Sequence, residues 1–256
     1  MSMSSTSAVA LIPARAGSKR VRGKNYKTLN GHPLIAYTIT AAIESGVFSS
    51  VVVSTDSELI AEISKYYGAE VPFLRPQEMA ADLSPDIDWV EYTLSELEKR
   101  EGKSYPIFSL LRPTSPFRQI ETIQRAWKQF VDEKEIDSLR AVEKCKQHPG
   151  KMWVIQSEKI KPLLPDGPKD PPWHSSPYQA LPLVFIQNAS LEIAWSKVIA
   201  QGRTISGENI TPFLTKGFEG FDINESQDWW YAEHLIKTGE ALLPEIRKEP
   251  IKNLVG

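Results

Sequence analysis

Short, almost wholly apolar runs alternate with amphipathic helical patterns along the first half of the chain, and this alternation constrains the fold more than any other feature. Ala8–Pro13 is one such run, and residues 51–54, 71–74 and 107–111 are three more. Strands without a polar face must be covered on both sides, as in parallel sheets flanked by helices. We therefore predict an α/β fold with a mostly parallel sheet.

Helical periodicity fills the gaps between these runs. It predicts helices over residues 34–43, 57–67, 86–100 and 119–131, and a late helix over 226–243. In the second half, residues 138–142, 152–155 and 184–186 are predicted strands, whereas 190–200 is ambiguous. Residues 162–182 are rich in proline, serine and aspartate and indicate a long excursion from the sheet.

We expect one domain over residues 1–256, with a flexible tail at 1–7. An insertion at about residues 145–182 is expected at a dimer interface or as a lid, because long irregular segments usually carry such roles.

Charge and cysteine content exclude several classes of protein. The chain has 30 basic and 32 acidic residues, a formal net charge of -2, so nothing favours nucleic acid as a partner. The single cysteine, Cys145, cannot form an internal disulfide, which suits a reducing compartment. No stretch is apolar enough for a signal peptide or a membrane span, so we expect a cytoplasmic protein with no membrane partner.

The segment after the first strand is dense in cations and glycine. Arg15, Lys19 and Lys24 are among its basic residues, and Gly17 and Gly23 allow close approach of a ligand to the backbone. Ligands of open α/β sheets bind at the carboxyl ends of strands, so phosphate binding is favoured over a solvated loop. The spacing is neither that of a Walker A loop nor G-x-G-x-x-G, which disfavours a dinucleotide site.

Polar residues also follow the other predicted strands, at 53–56, 73–76, 81–84 and 111–118. Asp56 and Asp82 have helix capping as an equally good explanation. Further along, Asp222 and Asn224 are two residues apart, so an extended chain turns both to one side, where their oxygens suit Mg²⁺. Asp228 is predicted to be an N-cap or first-turn residue of the last helix.

Together these motifs resemble the acylneuraminate cytidylyltransferases, also called CMP-sialic acid synthetases, over residues 9–243. The resemblance implies a Rossmann-like, three-layer nucleotidyltransferase fold with a small dimerisation insertion, acting as a homodimer with Mg²⁺. The motifs that carry it are Ile12-Pro-Ala-Arg-Ala-Gly-Ser-Lys19, Lys24-Asn25, Ser54-Thr-Asp56, Phe73-Leu-Arg-Pro76, Arg112-Pro-Thr-Ser-Pro-Phe-Arg118 and Phe221-Asp-Ile-Asn224.

The resemblance implies that a nine-carbon 2-keto sugar acid is joined to CTP or GTP with release of pyrophosphate. It assigns catalysis to Arg15, Lys19, Lys24 and Asp222, and the metal to Asp222 and Asn224. Nucleotide binding falls to Ala14, Arg15, Gly17, Ser18, Lys24, Asn25, Arg75 and Ser84. Binding of the sugar acid falls to Arg112, Thr114, Ser115, Gln179 and Asn188.

Two departures from the family pattern point to an atypical branch that handles sugars such as legionaminic or pseudaminic acid. Arg112 stands where the family has a sugar-binding glutamine, and an arginine could pair bidentately with a carboxylate. Asn224 stands where the family has its second metal-binding aspartate.

Three other functions stay open. The first is a nucleotidyltransferase for 3-deoxy-octulosonic acid or a sugar 1-phosphate, and the second is a non-catalytic nucleotide-binding homologue. The third, a GT-A glycosyltransferase, is disfavoured because Arg112-Pro-Thr-Ser115 replaces the expected Asp-x-Asp after the fourth strand.

Overall fold

The computed structural model describes residues 7–81 and 84–251, so the predictions for Asp82 and for most of the 1–7 tail lie outside the described residues. The described residues fall into two compact units, of which the smaller is Val142–Gln187. In chain order the strands are β1 (Ala8–Pro13), β2 (Thr28–Leu29), β3 (His32–Pro33), β4 (Ser50–Ser54), β5 (Ile107–Leu110), β6 (Ser138–Lys144), β7 (Trp153–Gln156), β8 (Lys159–Pro162), β9 (Phe185–Trp195) and β10 (Ile210–Leu214). The α-helices are α1 (Leu34–Glu44), α2 (Glu58–Tyr66), α3 (Asp86–Glu101), α4 (Ile120–Asp132), α5 (Lys197–Gly202) and α6 (Ser226–Thr238).

A six-stranded sheet in the order β10-β6-β9-β5-β1-β4 forms the centre of the larger unit. β1 lies between β4 and β5 and is parallel to both, whereas β9 is antiparallel to β5. Consecutive parallel strands require a crossover, and the helices between β1, β4 and β5 supply it. The predicted α/β class with a mostly parallel sheet is confirmed.

Successive residues of β1 enter two different cores, because side chains alternate between the faces of a strand. Leu11 packs in the core that contains Val90 of α3, and Ile12 packs in the core that contains Ile39 of α1 and Phe130 of α4. All five side chains are at most 1% exposed. Helices therefore cover both faces of the sheet, and the predicted three-layer, Rossmann-like arrangement is confirmed.

Several predicted elements differ from the structure. Residues 71–74 form no strand: Pro72 offers no amide donor, and the only pairing nearby is a single bridge between Val52 and Glu70. The last helix ends at Thr238 rather than at 243, because Gly239 adopts a left-handed conformation with φ 75°. β10 and the full length of β9 were not predicted, since polar residues interrupt both segments.

The smaller unit contains the antiparallel hairpin β7–β8, whose strands are almost wholly exposed. Two short 3-10 turns follow, at Trp173–Ser175 and Tyr178–Ala180. Cys145 is buried, and its thiol donates to the carbonyl of Gln147 over 2.9 Å, in keeping with a structural role. The assignment of this segment to a lid or a dimer interface stays a prediction.

Among the helices of residues 7–81 and 84–251, none combines the length and the apolar character that a bilayer crossing requires.

Candidate functional site

A pocket lies where β1 and β5 of the larger unit end, and the turn after β1 and the loop after β5 both contribute to its wall. Among the residues that the structure describes, the lining is strongly basic, with six arginine or lysine side chains and one carboxylate, Asp86. Ten of the residues predicted from the sequence line it: Arg15, Ser18, Lys19, Lys24, Asn25, Arg75, Ser84, Arg112, Thr114 and Asn224.

The turn after β1 is closed by a buried amide side chain. Asn25 is 6% exposed, and its Nδ2 donates to the carbonyl of Arg15 over 3.0 Å, which closes the turn from inside. The Arg15 guanidinium in turn donates to the carbonyl of Ala80 over 3.2 Å. At Gly17 a Cβ would meet no atom within 4 Å, so the backbone there faces open space that a ligand could approach.

Lys24 links this turn to the last predicted motif. Its Nζ donates to the carbonyl of Ile223 over 2.7 Å. Burial lowers the pKa of Lys24, while the nearby carboxylate of Asp222 works in the opposite direction. The ammonium group is thus held at the pocket wall between the turn and the 222–224 segment.

Asp222 and Asn224 lie side by side, as their spacing predicts. Asn224 Nδ2 donates to Asp222 Oδ2 over 2.6 Å, and Asp222 Oδ1 is buried with no hydrogen-bond partner in the part of the chain that the structure describes. Asp228 accepts from the backbone amides of Asn224 and Glu225, over 2.8 and 2.7 Å, which confirms its prediction as a first-turn residue of α6.

Arg75 reaches the pocket although no strand precedes it. Its backbone amide donates to the carbonyl of Thr55 over 2.7 Å, directly after β4. The side chain is 5% exposed, and its guanidinium lies over the ring of Trp89 at 5.6 Å. Burial lowers the pKa of Arg75, with the charges of Asp56 and Asp86 opposing the shift.

Arg112 is already engaged by acidic side chains. Its guanidinium contacts Asp86 Oδ2 at 2.6 Å and Oδ1 at 3.4 Å, and Glu192 at 3.5 Å. Burial works to lower the pKa of Arg112, but hydrogen bonds and charge from Asp86 outweigh it and raise the pKa. Burial works to raise the pKa of Asp86, but the hydrogen bond and the charge of Arg112 outweigh burial, so this pKa is lowered. A substrate carboxylate that pairs bidentately with Arg112 must therefore displace Asp86.

The remaining predicted residues do not line this pocket. Ser115 is buried, with 1% of its surface exposed. Asp222 is not a lining residue, but it accepts a hydrogen bond from Asn224, which is one. Asn188 donates to Thr215 over 2.9 Å, and Gln179 belongs to the smaller unit. Ala14 and Gly17 belong to the same turn as Arg15 without forming part of the lining.

Sequence reasoning missed several pocket residues. Asp86 and Trp89, in the first turn of α3, are joined by a hydrogen bond from Trp89 Nε1 to Asp86 Oδ1 of 2.9 Å. The sequence assigned both to a helix only, and their closeness to Ser84 was the one available signal. Val21 and Met79 are apolar lining residues with no sequence signal.

Comparisons with known proteins agree with this geometry. A family model described as cytidylyltransferase matches residues 9–154. CMP-N,N'-diacetyllegionaminic acid synthase of Legionella pneumophila is 34% identical over 244 residues, which cover 92% of this chain and 98% of the relative. N-acylneuraminate cytidylyltransferase of Escherichia coli is 43% identical over 125 residues, which cover 49% of this chain and 28% of that protein.

Among solved structures, CMP-2-keto-3-deoxy-manno-octonic acid synthetase complexed with CTP superposes with a TM-score of 0.65. The superposition covers 91% of this chain and 99% of that one, at 14% sequence identity. At this identity the likeness establishes the fold.

Proposed function

Because the chain belongs to the cytidylyltransferase family, we propose that it transfers a cytidylyl group from CTP to a nine-carbon 2-keto sugar acid of the legionaminic or sialic type. The observation that carries the proposal is the basic pocket at the carboxyl ends of β1 and β5. Near-complete alignment with a legionaminic acid synthase supports this class of sugar acid over the shorter 3-deoxy-octulosonic acid.

The charge of the pocket suits two anionic substrates. Within residues 7–81 and 84–251, six basic side chains line it against one carboxylate, and that carboxylate is paired with Arg112. A triphosphate and a sugar carboxylate both need such neutralisation before they can approach one another. GTP, which the sequence left open beside CTP, has no support from the family model or the relatives, so CTP is the nucleotide we propose.

In the proposed reaction the anomeric hydroxyl oxygen of the sugar attacks the α-phosphorus of CTP. The new oxygen–phosphorus bond replaces the bond to the β-phosphate, pyrophosphate leaves, and the hydroxyl proton passes to solvent. Charge accumulates on the phosphoryl oxygens, so fixed cations matter more than a covalent nucleophile. Lys24, anchored on the Ile223 carbonyl, and Arg15, anchored on Ala80, are oriented for this task.

The residues at 222–224 fit a Mg²⁺ ion that takes most of its ligands from phosphates. Asp222 Oδ1 is a buried carboxylate oxygen with no partner within the described ranges, and Asn224 lines the pocket beside it. Within those ranges no three His, Cys, Asp or Glu side chains form a metal-binding group, so phosphate oxygens and water must complete the shell. When bound, the ion would neutralise triphosphate charge; we propose Asp222 and Asn224 as its protein ligands.

We also propose that the protein acts as a homodimer through its smaller unit. The β7–β8 hairpin exposes Ile155 by 76% and Ile160 by 57%, and Leu183 in the same unit is 63% exposed. Ile155 and Ile160 are directly paired across the hairpin, and exposed apolar side chains that lie together mark interaction surfaces. Sedimentation should give a dimer for the wild type and a monomer for an Ile155→Asp, Ile160→Asp double variant. A monomeric wild type refutes this assignment.

The substrate proposal is tested with a matrix of nucleotides and sugar acids. CTP, GTP, UTP and ATP are each incubated with legionaminic, pseudaminic, sialic and 3-deoxy-octulosonic acids and with a sugar 1-phosphate, and the products are identified by mass. We expect a CMP-linked nine-carbon acid and an equal amount of pyrophosphate. Product from 3-deoxy-octulosonic acid alone, or CTP binding without any turnover, overturns the proposal.

A lysine pair provides the control for the mechanism. Lys24→Met should lower kcat by about 100-fold or more, the cost of removing one preorganised charge contact at the reacting centre. Lys27→Met is the matched control, because Lys27 lies over the Trp229 ring at 4.2 Å and is absent from the pocket lining. Equal activity of the two variants would show that Lys24 does not contact the reacting phosphates.

A further inference from the structure

Ser54, the last residue of β4, and the two residues that follow it form hydrogen bonds to two separate segments of the pocket. The carbonyl of Ser54 accepts from the amide of Ala14 over 3.0 Å, and the carbonyl of Thr55 accepts from the amide of Arg75 over 2.7 Å. These two bonds fix the backbone where each basic segment begins. They also explain why Arg75 lines the pocket without a strand before it.

Asp56 continues the series with its side chain. Its Oδ1 accepts from the backbone amide of Ala16 over 2.8 Å, and the next bond along this turn runs from the amide of Ser18 to the carbonyl of Ala16. Arg15 and Ser18, on either side of Ala16-Gly17, both line the pocket, whereas Asp56 does not. The Asp56 carboxylate therefore fixes the backbone of the turn without itself lining the pocket.

Helix capping does not account for Asp56. The N-cap of α2 is Ser57, whose Oγ accepts from the amide of Ile60 over 3.4 Å. The amide of Ser57 itself is satisfied by Thr55 Oγ1 over 3.1 Å. The capping explanation left open by the sequence is wrong for Asp56, whose hydrogen bond goes to the turn after β1 instead.

We infer that Asp56 is a positioning residue for nucleotide binding, acting through its hydrogen bond to the Ala16 amide. This inference rests on the proposed function, since it takes the pocket to hold the triphosphate. A carboxylate acceptor fixes the amide of an exposed turn more firmly than a neutral group, and a fixed turn keeps Arg15 and Ser18 at the pocket wall.

The test compares Asp56→Ala with Asp56→Asn, which keeps an oxygen acceptor at the same place. We expect the KM for CTP to rise about tenfold or more in Asp56→Ala, as for loss of a hydrogen bond to a charged group, with the KM for the sugar acid unchanged. Asp56→Asn should return the KM for CTP to within about threefold of wild type, because the acceptor is retained. Glu58→Ala, an exposed residue of α2, is the matched control.

For each variant, calorimetry measures the affinity for CTP, and thermal unfolding measures whether the fold is intact. A normal KM and affinity for CTP in Asp56→Ala overturn the inference, and so does an Asp56→Asn variant as impaired as Asp56→Ala, since the amide contact would then be irrelevant. If Asp56→Ala does not fold, Asp56→Asn and an Asp56→Ser variant, whose shorter side chain loses the contact, make the same comparison. A wild type that binds no CTP refutes the proposed function itself and removes the nucleotide role with it.

Discussion

The ion pair between Arg112 and Asp86 should contribute measurably to stability. Its atoms are 2.6 Å apart, and the two side chains are 26% and 34% exposed. Exposed pairs contribute about 0–1 kcal/mol, whereas removing one partner of a buried pair costs about 3–5 kcal/mol. Partial burial places Arg112→Gln between these limits, and we expect a loss of about 2 kcal/mol in the free energy of unfolding.

A double-mutant cycle isolates the pair from the other effects of each substitution. Arg112→Gln, Asp86→Asn and the double variant are unfolded in urea, and we expect a coupling energy of about 1 kcal/mol or more. The control is the pair Arg203–Asp88, which shares helix α3 but has a 3.5 Å separation and side chains 74% and 36% exposed. Its coupling should be near zero.

Equal coupling in the two cycles refutes the reasoning. Arg112 would then be free to turn toward a substrate carboxylate, as the sequence alone had suggested. A strong coupling means instead that the charge of Arg112 is balanced by Asp86 and Glu192.

Two further outcomes follow from the site and its surroundings. Burial works to raise the pKa of Glu219, but hydrogen bonds from Arg125, the Lys216 amide and Thr122 outweigh it, so this pKa lies below the ordinary glutamate value of 4.5. The stabilising contribution of Glu219 is present above the pKa of the unfolded state and is lost as pH falls through the pKa of the folded state. Glu219→Gln should therefore be less stable than wild type near neutral pH. Below pH 4.5, urea unfolding should show the stabilities of the two proteins converging. Asn224→Asp adds a second carboxylate beside Asp222. Mg²⁺ should therefore raise the unfolding temperature of this variant more than that of wild type, and a lower Mg²⁺ concentration should saturate its activity. Unchanged Mg²⁺ dependence in both measurements would exclude position 224 as a ligand.

The sequence predicted the sheet and the basic turn because both depend on local patterns. An apolar run such as Ala8–Pro13 has few alternatives to a buried strand, and the cations that follow it necessarily emerge at the strand's carboxyl end. The start of α3 at Asp86 was predicted for the same reason. The helix ends at Glu101, and the left-handed Gly102 caps it.

Features that depend on tertiary contacts were out of reach. That Asp86 pairs with Arg112, 26 residues away, follows from the meeting of α3 with the loop after β5, which no local pattern encodes. Trp229 and Trp230 of α6 are another case, since Trp229 is 3% exposed and Trp230 is 68% exposed. Helical periodicity was too weak there to decide which of two adjacent tryptophans faces the core.

The arrangement of the charges, as well as their number, makes this pocket suitable for two anions. Arg112 is neutralised by acidic neighbours, so the attraction for substrates comes from the turn after β1 and from Arg75. Cations this close repel one another, and that repulsion must be resisted by the backbone that carries them. The end of β4 provides this resistance by bonding to both segments, through the Thr55 carbonyl and the Asp56 carboxylate. The strand edge thus holds several positive charges close together, and the triphosphate of the proposed reaction would neutralise them.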